Sequence, residues 1–209
     1  MKIGIDFDNT TVCYDGVFEA IAREENILPP DVRPTKAAVR DALREQGKEE
    51  RWIEIQGLVY GARMKDAQPF PGIKAFLEKA ANRGIETYIV SHKTRYPFRG
   101  PQHDLHEAAY EWLQAQGIYD RAHPRKFPHV FLELTKEAKL ARIAELHCSV
   151  FIDDLPEFLT EKQFPTKARR ILFDPNSDQL EHFDYSRMSS WVTLSSHLLG
   201  ASSLGNPQG

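Results

Sequence analysis

Residues 2–10 read Lys2-Ile3-Gly4-Ile5-Asp6-Phe7-Asp8-Asn9-Thr10, an apolar run that meets acid almost at once. The run is too short for two turns of helix, and it suits a central strand of a parallel sheet. Side chains alternate along an extended chain, so Asp6 and Asp8 point to one side, about 7 Å apart, while Phe7 points into the core. A second apolar run, Ser149 to Ile152, ends in the same way, at Asp153-Asp154. Ligands of a parallel sheet bind beyond the carboxyl ends of its strands, which brings all four carboxylates to one edge. Without a counter-ion these groups would repel one another, so a cation belongs among them. All-oxygen donors select a hard ion, and Mg²⁺ is the expected one. Asp and Asn are also ordinary turn formers at strand ends, but two such endings in one alternating chain argue for a site.

Outward from these strands the chain alternates helix and strand. Pro71-Gly72 opens a helix with Ile73, Phe76, Leu77 and Ala80 inward, Arg83-Gly84 closes it, and Ile85 to Val90 reads as a strand. His103 to Gln116 is the next helix, Val130 to Leu134 a short strand, Lys136 to His147 a helix, and Arg170 to Phe173 a further strand. This order predicts an α/β fold, a Rossmann-like doubly wound parallel sheet covered by helices on both faces. Three amphipathic helices with no strand between them interrupt it. They are Tyr14 to Glu25, Thr35 to Gln46 and Glu49 to Met64, the last with Trp52, Ile55, Val59 and Ala62 on one face; Pro29-Pro30 and Pro34 separate the first two. The expected organisation is a core of residues 1–14 and 68–200, a small α-helical insert of residues 15–67, and a small polar tail, residues 201–209, read as disordered.

Composition excludes several classes. The chain has 209 residues, 41% hydrophobic and 27% charged, which rules out disorder throughout. Its apolar runs fall far short of the roughly 20 residues of a membrane span, and Met1-Lys2-Ile3-Gly4-Ile5-Asp6 has no signal-peptide h-region, so a cytoplasmic location is expected. A net charge of −3 argues against a general nucleic-acid or anionic-membrane binder. Cys13 and Cys148 lie in or beside apolar segments, with no CxxC and no zinc spacing, and read as reduced, buried thiols.

Asp6-Phe7-Asp8-Asn9-Thr10 resembles motif I (DxDxT) of the haloacid dehalogenase superfamily, Ser91 after Tyr88-Ile89-Val90 resembles motif II, and Phe151-Ile152-Asp153-Asp154 resembles motif IV. The likeness spans about residues 1–175, and the insert between the first two motifs resembles the C1-type cap that closes over the site. The resemblance implies that Asp6 is a nucleophile, Asp8 an acid/base and Ser91 a donor to a phosphoryl oxygen. It further implies Mg²⁺ held by Asp6, the main-chain carbonyl of Asp8, and Asp153 with Asp154 assisting. A motif III lysine should balance the charges. Lys136 and Lys139, three apart on one helix, are the candidates, and Lys139 is preferred on its distance to Asp153. The presence of Asp8 favours phosphatase over dehalogenase within the resemblance, because halide leaves without protonation and an alkoxide does not.

Further candidates for substrate binding are Asn9 and the loop that follows motif II, where His92, Lys93 and Arg95 stand with Tyr96, Phe98 and Arg99. Such a loop suits an anionic or ring-bearing leaving group, or it is a solvated loop whose aromatics pack on the core. His103 and His106 lack a third ligand for a metal. Trp52, Tyr60, Arg63 and Lys65 are candidates for the underside of the insert, with Trp52 more suited to its core. His123-Pro124-Arg125-Lys126 is a basic loop without an assigned purpose. The expected partner is a small phosphate ester, a sugar phosphate or nucleotide. The alternatives are a phosphotransferase or mutase, a nucleic-acid end-phosphatase, and a non-catalytic binding domain of the same fold.

Overall fold

The computed structural model describes residues 1–32, 35–123, 128–177, 179, 182 and 184–200. The tail at 201–209, Pro34, and Pro124, Arg125 and Lys126 of the basic loop lie outside them. Six strands form one parallel sheet: β1 (Lys2–Ile5), β4 (Glu86–His92), β5 (His129–Glu133), β6 (Val150–Asp153), β7 (Arg169–Phe173) and β8 (Ser186–Met188). Their order is β5-β4-β1-β6-β7-β8. The chain runs outward from β1 through β4 to β5, then returns to the other side of β1 for β6, β7 and β8. The ends of β1 and β6 therefore flank a topological switch point, where open α/β sheets leave a crevice for ligands.

Three helices, α1 (Asp15–Glu24), α2 (Lys36–Glu45) and α3 (Glu49–Tyr60), stand between β1 and β4. They are joined to the sheet through a two-stranded antiparallel ribbon, β2 (Val12–Cys13) and β3 (Gln68–Pro69), in which Val12 pairs with Pro69. Within the insert Phe18 stacks on Trp52 with ring centroids 5.6 Å apart, beside the buried Ile55, Val59, Val39 and Leu43, and this packing is continuous with the apolar core of the sheet. The third helix stops at Tyr60, short of Met64, because Gly61 leaves helical geometry and a 3₁₀ turn follows at Met64–Asp66. Ala62, read as part of the apolar face, is exposed as a result.

The sheet is covered by α4 (Ile73–Asn82), α5 (Leu105–Ala115), α6 (Lys136–Glu145), the short α7 (Pro156–Leu159) and α8 (Trp191–Leu199). The last three sheet-side elements, α7, β8 and α8, are additions to the sequence reading. Trp191 at the start of α8 packs on Phe76 and Phe173, with centroids 4.9 and 5.5 Å apart, and its indole N–H donates to the carbonyl of Thr10 at 3.1 Å. An end helix thus braces the turn after β1. Gly4 in β1 is required by close packing, since a Cβ there would lie 2.4 Å from a Phe151 ring carbon. Cys13 and Cys148 are free; Cys148 is buried, which pushes its thiol up to about 11, and Cys13 is only partly so.

Candidate active site

The side chains that converge beyond the sheet come from the ends of β1, β4 and β6, and from the start of α6. The turn after β1 is tight: the N–H groups of Thr11 and Val12 both donate to the Phe7 carbonyl, and Asn9 takes a left-handed φ of 56°, which Asn tolerates better than most residues. Phe7 is fully buried, as the alternation requires, and Asp6 faces the opposite side. The Thr11 hydroxyl donates to the Asp6 carbonyl at 2.8 Å, and the Asp6 N–H to the carbonyl of Ile152, so the nucleophile candidate sits on a fixed stretch of backbone.

Asp6, Asp153 and Asp154 each place a carboxylate oxygen within 4.8 Å of the others. Lys139 bridges two of them, its ammonium 2.6 Å from Asp6 Oδ1 and 2.6 Å from Asp153 Oδ2. Both partners are buried, and the ammonium also lies 4.1 Å from the centre of the Phe158 ring. Asp153 is held further by the Leu155 N–H, at 2.9 Å. Lys136, the other lysine candidate, pairs with Glu161 near the cavity rim. One turn of helix separates a lysine under the sheet edge from a lysine at the surface.

Burial raises the Asp6 carboxyl to about 7, against the pull of Lys139, with Asp153 and Asp8 adding to the rise. Asp154 is likewise pushed well above the carboxylate range, chiefly by burial and then by Asp153 and Asp6. Lys139 moves upward, because the attraction of Asp153 and Asp6 outweighs its desolvation. Such a cluster carries surplus negative charge that one lysine does not neutralise. Three hard oxygen donors around one point are the donor set of Mg²⁺ rather than of a thiophilic or imidazole-bound metal, so the residues fit the ion.

Ser91, in the extended end of β4, is buried and donates to Asp6 Oδ1 at 3.0 Å. Asp8 lines the same cavity as Asp6, its carboxylate held by partners of its own. The Tyr14 hydroxyl donates to Asp8 Oδ1 at 2.5 Å, and the Lys93 ammonium lies 3.0 Å from both Asp8 oxygens. Lys93 is buried beneath the aromatic faces of Tyr60 (4.8 Å) and Phe7 (5.5 Å). This substrate-binding candidate of the loop thus contacts the second carboxylate. Its carbonyl in turn contacts His106 Nε2 at 2.8 Å, which gives that histidine a packing role.

A cavity of about 340 Å³ opens over these groups, lined among others by Asp6, Asp8, Asn9, Ser91, His92 and Lys139. From the insert, Lys36 and Tyr60 reach the same cavity. Lys36 has no counterpart in the sequence reading, and the only signal for it was a cation at the first position of a helix. Burial, and then Lys139, lower the pKa of His92. Arg95 pairs with Asp104 on the outer side of the loop, while Tyr96 and Phe98 face solvent, Phe98 at 83% exposure. The aromatics therefore neither line the cavity nor pack on the core. The loop is anchored instead through Pro97 and the Arg99 carbonyl against Gly57 of α3, and through an Arg99–Glu50 ion pair. In the insert, Arg63 pairs with Glu24 and Asp66, and Lys65 is exposed.

No protein-family description and no curated protein matches the sequence. Solved structures do match over nearly the whole chain. A HAD hydrolase of family IA, variant 3, from Entamoeba histolytica is 12% identical, covers 95% of this chain and 97% of its own, and superposes with a TM-score of 0.58. L-2-haloacid dehalogenase from Xanthobacter autotrophicus, with chloropropionic acid covalently bound, is 12% identical over 96% and 99%, with a TM-score of 0.56. A magnesium-bound HAD-hydrolase from Bacillus subtilis is 16% identical over 94% and 97%, with a TM-score of 0.55. The fold is that of the haloacid dehalogenase superfamily, with its helical region between β1 and β4. Among the described residues no helix is long and apolar enough to cross a membrane.

Proposed function

We propose that this chain is a Mg²⁺-dependent phosphomonoesterase that hydrolyses a small phosphorylated metabolite through an aspartyl-phosphate on Asp6. The observation that carries this reading is Asp8: a second carboxylate borders the cavity next to Asp6 and is fixed there by Lys93 and Tyr14. Halide departs as a stable anion, whereas the alkoxide of a phosphate monoester needs a proton as it leaves, and a second acid meets that need. The magnesium-bound Bacillus subtilis structure supports the choice of ion.

Asp6, Asp153 and Asp154, with the Asp8 carbonyl, would hold Mg²⁺, whose charge neutralises the phosphoryl oxygens and lets two anions approach. Asp6 attacks phosphorus in line; the Asp6–phosphorus bond forms as the bond to the leaving oxygen breaks, and Asp8 gives that oxygen its proton. Asp8, now a carboxylate, takes a proton from water as the water oxygen attacks phosphorus and the Asp6–phosphorus bond breaks. Lys93, 3.0 Å from the Asp8 carboxylate, holds that side chain in position. The Ser91 hydroxyl, aimed at Asp6 Oδ1, is placed to donate to a phosphoryl oxygen, and Lys139 offsets the charge of the nucleophile. The insert closes the cavity over a small ligand and limits water to the one that reacts.

The reading is tested by trapping. With p-nitrophenyl phosphate, whose leaving group departs without a proton, Asp8→Ala still forms the intermediate but slows its hydrolysis, and should accumulate a phosphate on the peptide containing Asp6 after an acid quench, located by mass spectrometry. Chloride release from 2-chloropropionate, with no phosphate release from any ester, would assign the chain to the other chemistry of this fold. Added alcohols that divert the phosphoryl group from water would mark a phosphotransferase.

A further inference from the structure

The cavity and the site beneath it hold four lysines, and three of them are committed to carboxylates: Lys139 to Asp6 and Asp153, Lys93 to Asp8, and Lys136 to Glu161. Lys36 is the fourth, and it forms no ion pair among the described residues. It is the first residue of α2, where the positive end of the helix dipole favours an acid over a lysine. The first turn of α2 holds no acid that would compensate. Helix stability therefore gives no reason for this lysine. Its ammonium lies 5.8 Å from the centre of the Tyr60 ring, at the rim of the cavity. Burial works against its charge, but Tyr60, followed by Asp154 and Asp8, raises its pKa, so it stays an ammonium.

Lys36 also stands at a junction. A second cavity of about 280 Å³ lies between the insert and the sheet, and it shares Asn9, Lys36 and Asp154 with the cavity over Asp6. Beyond that neck it is lined by Arg40, Cys13, Phe70, Phe173 and Asp174, the two phenyl rings packed edge to face at 4.9 Å. A phosphoryl group seated on Asp6 and Ser91 would thus send its leaving group past Lys36 into this second space. We infer that Lys36 is a specificity-determining anchor for the leaving group, and that the substrate is a phosphate monoester carrying a second anionic group, a carboxylate or another phosphate, beyond the scissile bond. The inference rests on the phosphomonoesterase reading for its reaction but on Lys36 alone for its selectivity.

The test compares esters of equal carbon-chain length with and without a second anionic group: phosphoglycolate against ethyl phosphate for a carboxylate, and propane-1,3-diol bisphosphate against propyl phosphate for a second phosphate. A charge-assisted hydrogen bond predicts that the wild-type kcat/KM ratio favours the anionic member of at least one pair by about 10–100-fold, carried mainly in KM. Lys36→Met should reduce that ratio to about twofold or less, and Lys36→Arg should restore much of it. A wild-type ratio near one in both pairs overturns the inference. So does a Lys36→Met variant that weakens both members of each pair equally, since Lys36 would then be holding the transferred phosphoryl group. If no ester is turned over, the reaction assignment fails by itself, and calorimetric binding of 3-phosphonopropionate against propylphosphonate decides about Lys36. A preference for the carboxylated ligand that Lys36→Met removes supports the anchor, and equal binding refutes it.

Discussion

Lys139→Met removes the one cation among the described residues that bridges Asp6 and Asp153. Both ion-pair contacts are 2.6 Å long and all three groups are buried, so the substitution leaves carboxylates in a low-dielectric site with no partner charge. Breaking a buried pair in this way costs about 3–5 kcal/mol. With an m-value of about 2–3 kcal/mol per M for a chain of this size, the urea midpoint at pH 8 should fall by about 1–2.5 M. The loss should depend on pH with a definite sign. A carboxyl whose pKa is raised on folding binds its proton more tightly in the folded state, so stability falls as pH rises from the unfolded value near 4 to the folded value, and is level above it. Asp6 stands at about 7 with Lys139 present, and losing that lysine, which pulls it down, carries it higher. At pH 5.5 protonation of the cluster should therefore recover part of the stability lost at pH 8. Mg²⁺ should recover part of it at pH 8 by supplying the missing charge. Lys136→Met, three residues away but half-exposed and paired with Glu161, is the control and should leave the midpoint nearly in place. Equal midpoints for the two variants, or a Lys139→Met deficit that grows as pH falls, would refute the reasoning.

Removing Lys93 with Lys93→Met takes the ammonium from both oxygens of Asp8 and should lower kcat by about 10–100-fold, the worth of a charge-assisted contact; a steady-state kcat within twofold of wild type would contradict it. Because Asp6 and Asp154 hold protons well above the usual carboxylate range, Mg²⁺ must displace them. Its affinity should tighten as pH rises from 6 to 8, by up to about tenfold per unit for each proton released, and calorimetry in buffers of different ionisation enthalpy counts those protons. An affinity flat across this range would count against the cluster as the metal site. Gly57→Val pushes a side chain to within 2.8 Å of Pro97 and should cost about 1–3 kcal/mol in thermal or urea unfolding, whereas Gly16→Ala in α1, with open space around it, should be neutral or slightly stabilising.

The strands that carry the site were legible because each is a short apolar run leading into the residue of interest: β1 just before Asp6, β4 with Ser91 near its end and β6 with Asp153 as its last residue. Their meeting at one edge followed from helix–strand alternation alone. Selection between Lys136 and Lys139 was not fully legible, since residues three apart on a helix share a face in sequence, and only packing against the sheet decides which is covered. The grip of Lys93 and Tyr14 on Asp8 was missed for a different reason. Lys93 and Asp8 are brought together across the sheet, and nothing in the local pattern around His92-Lys93 points to a carboxylate. The β2–β3 ribbon has two residues per strand, too few for any periodicity. In contrast α8 had a readable signal, Ser190 as a cap with Trp191, Leu194 and Leu199 on the buried face. Tyr96 and Phe98 show the limit of composition, because aromatics in a loop beside a site turned out to face water.

The central claim is that Asp6 carries a phosphoryl group in a metal-dependent hydrolysis, and its most direct test is inorganic phosphate release from a panel of phosphorylated metabolites, with Mg²⁺ and with EDTA, by wild type and by Asp6→Asn. The account predicts release from one class of ester that EDTA abolishes and that Asp6→Asn lacks, under conditions that prevent deamidation back to aspartate. Full activity in Asp6→Asn, or release that EDTA leaves untouched, would contradict it.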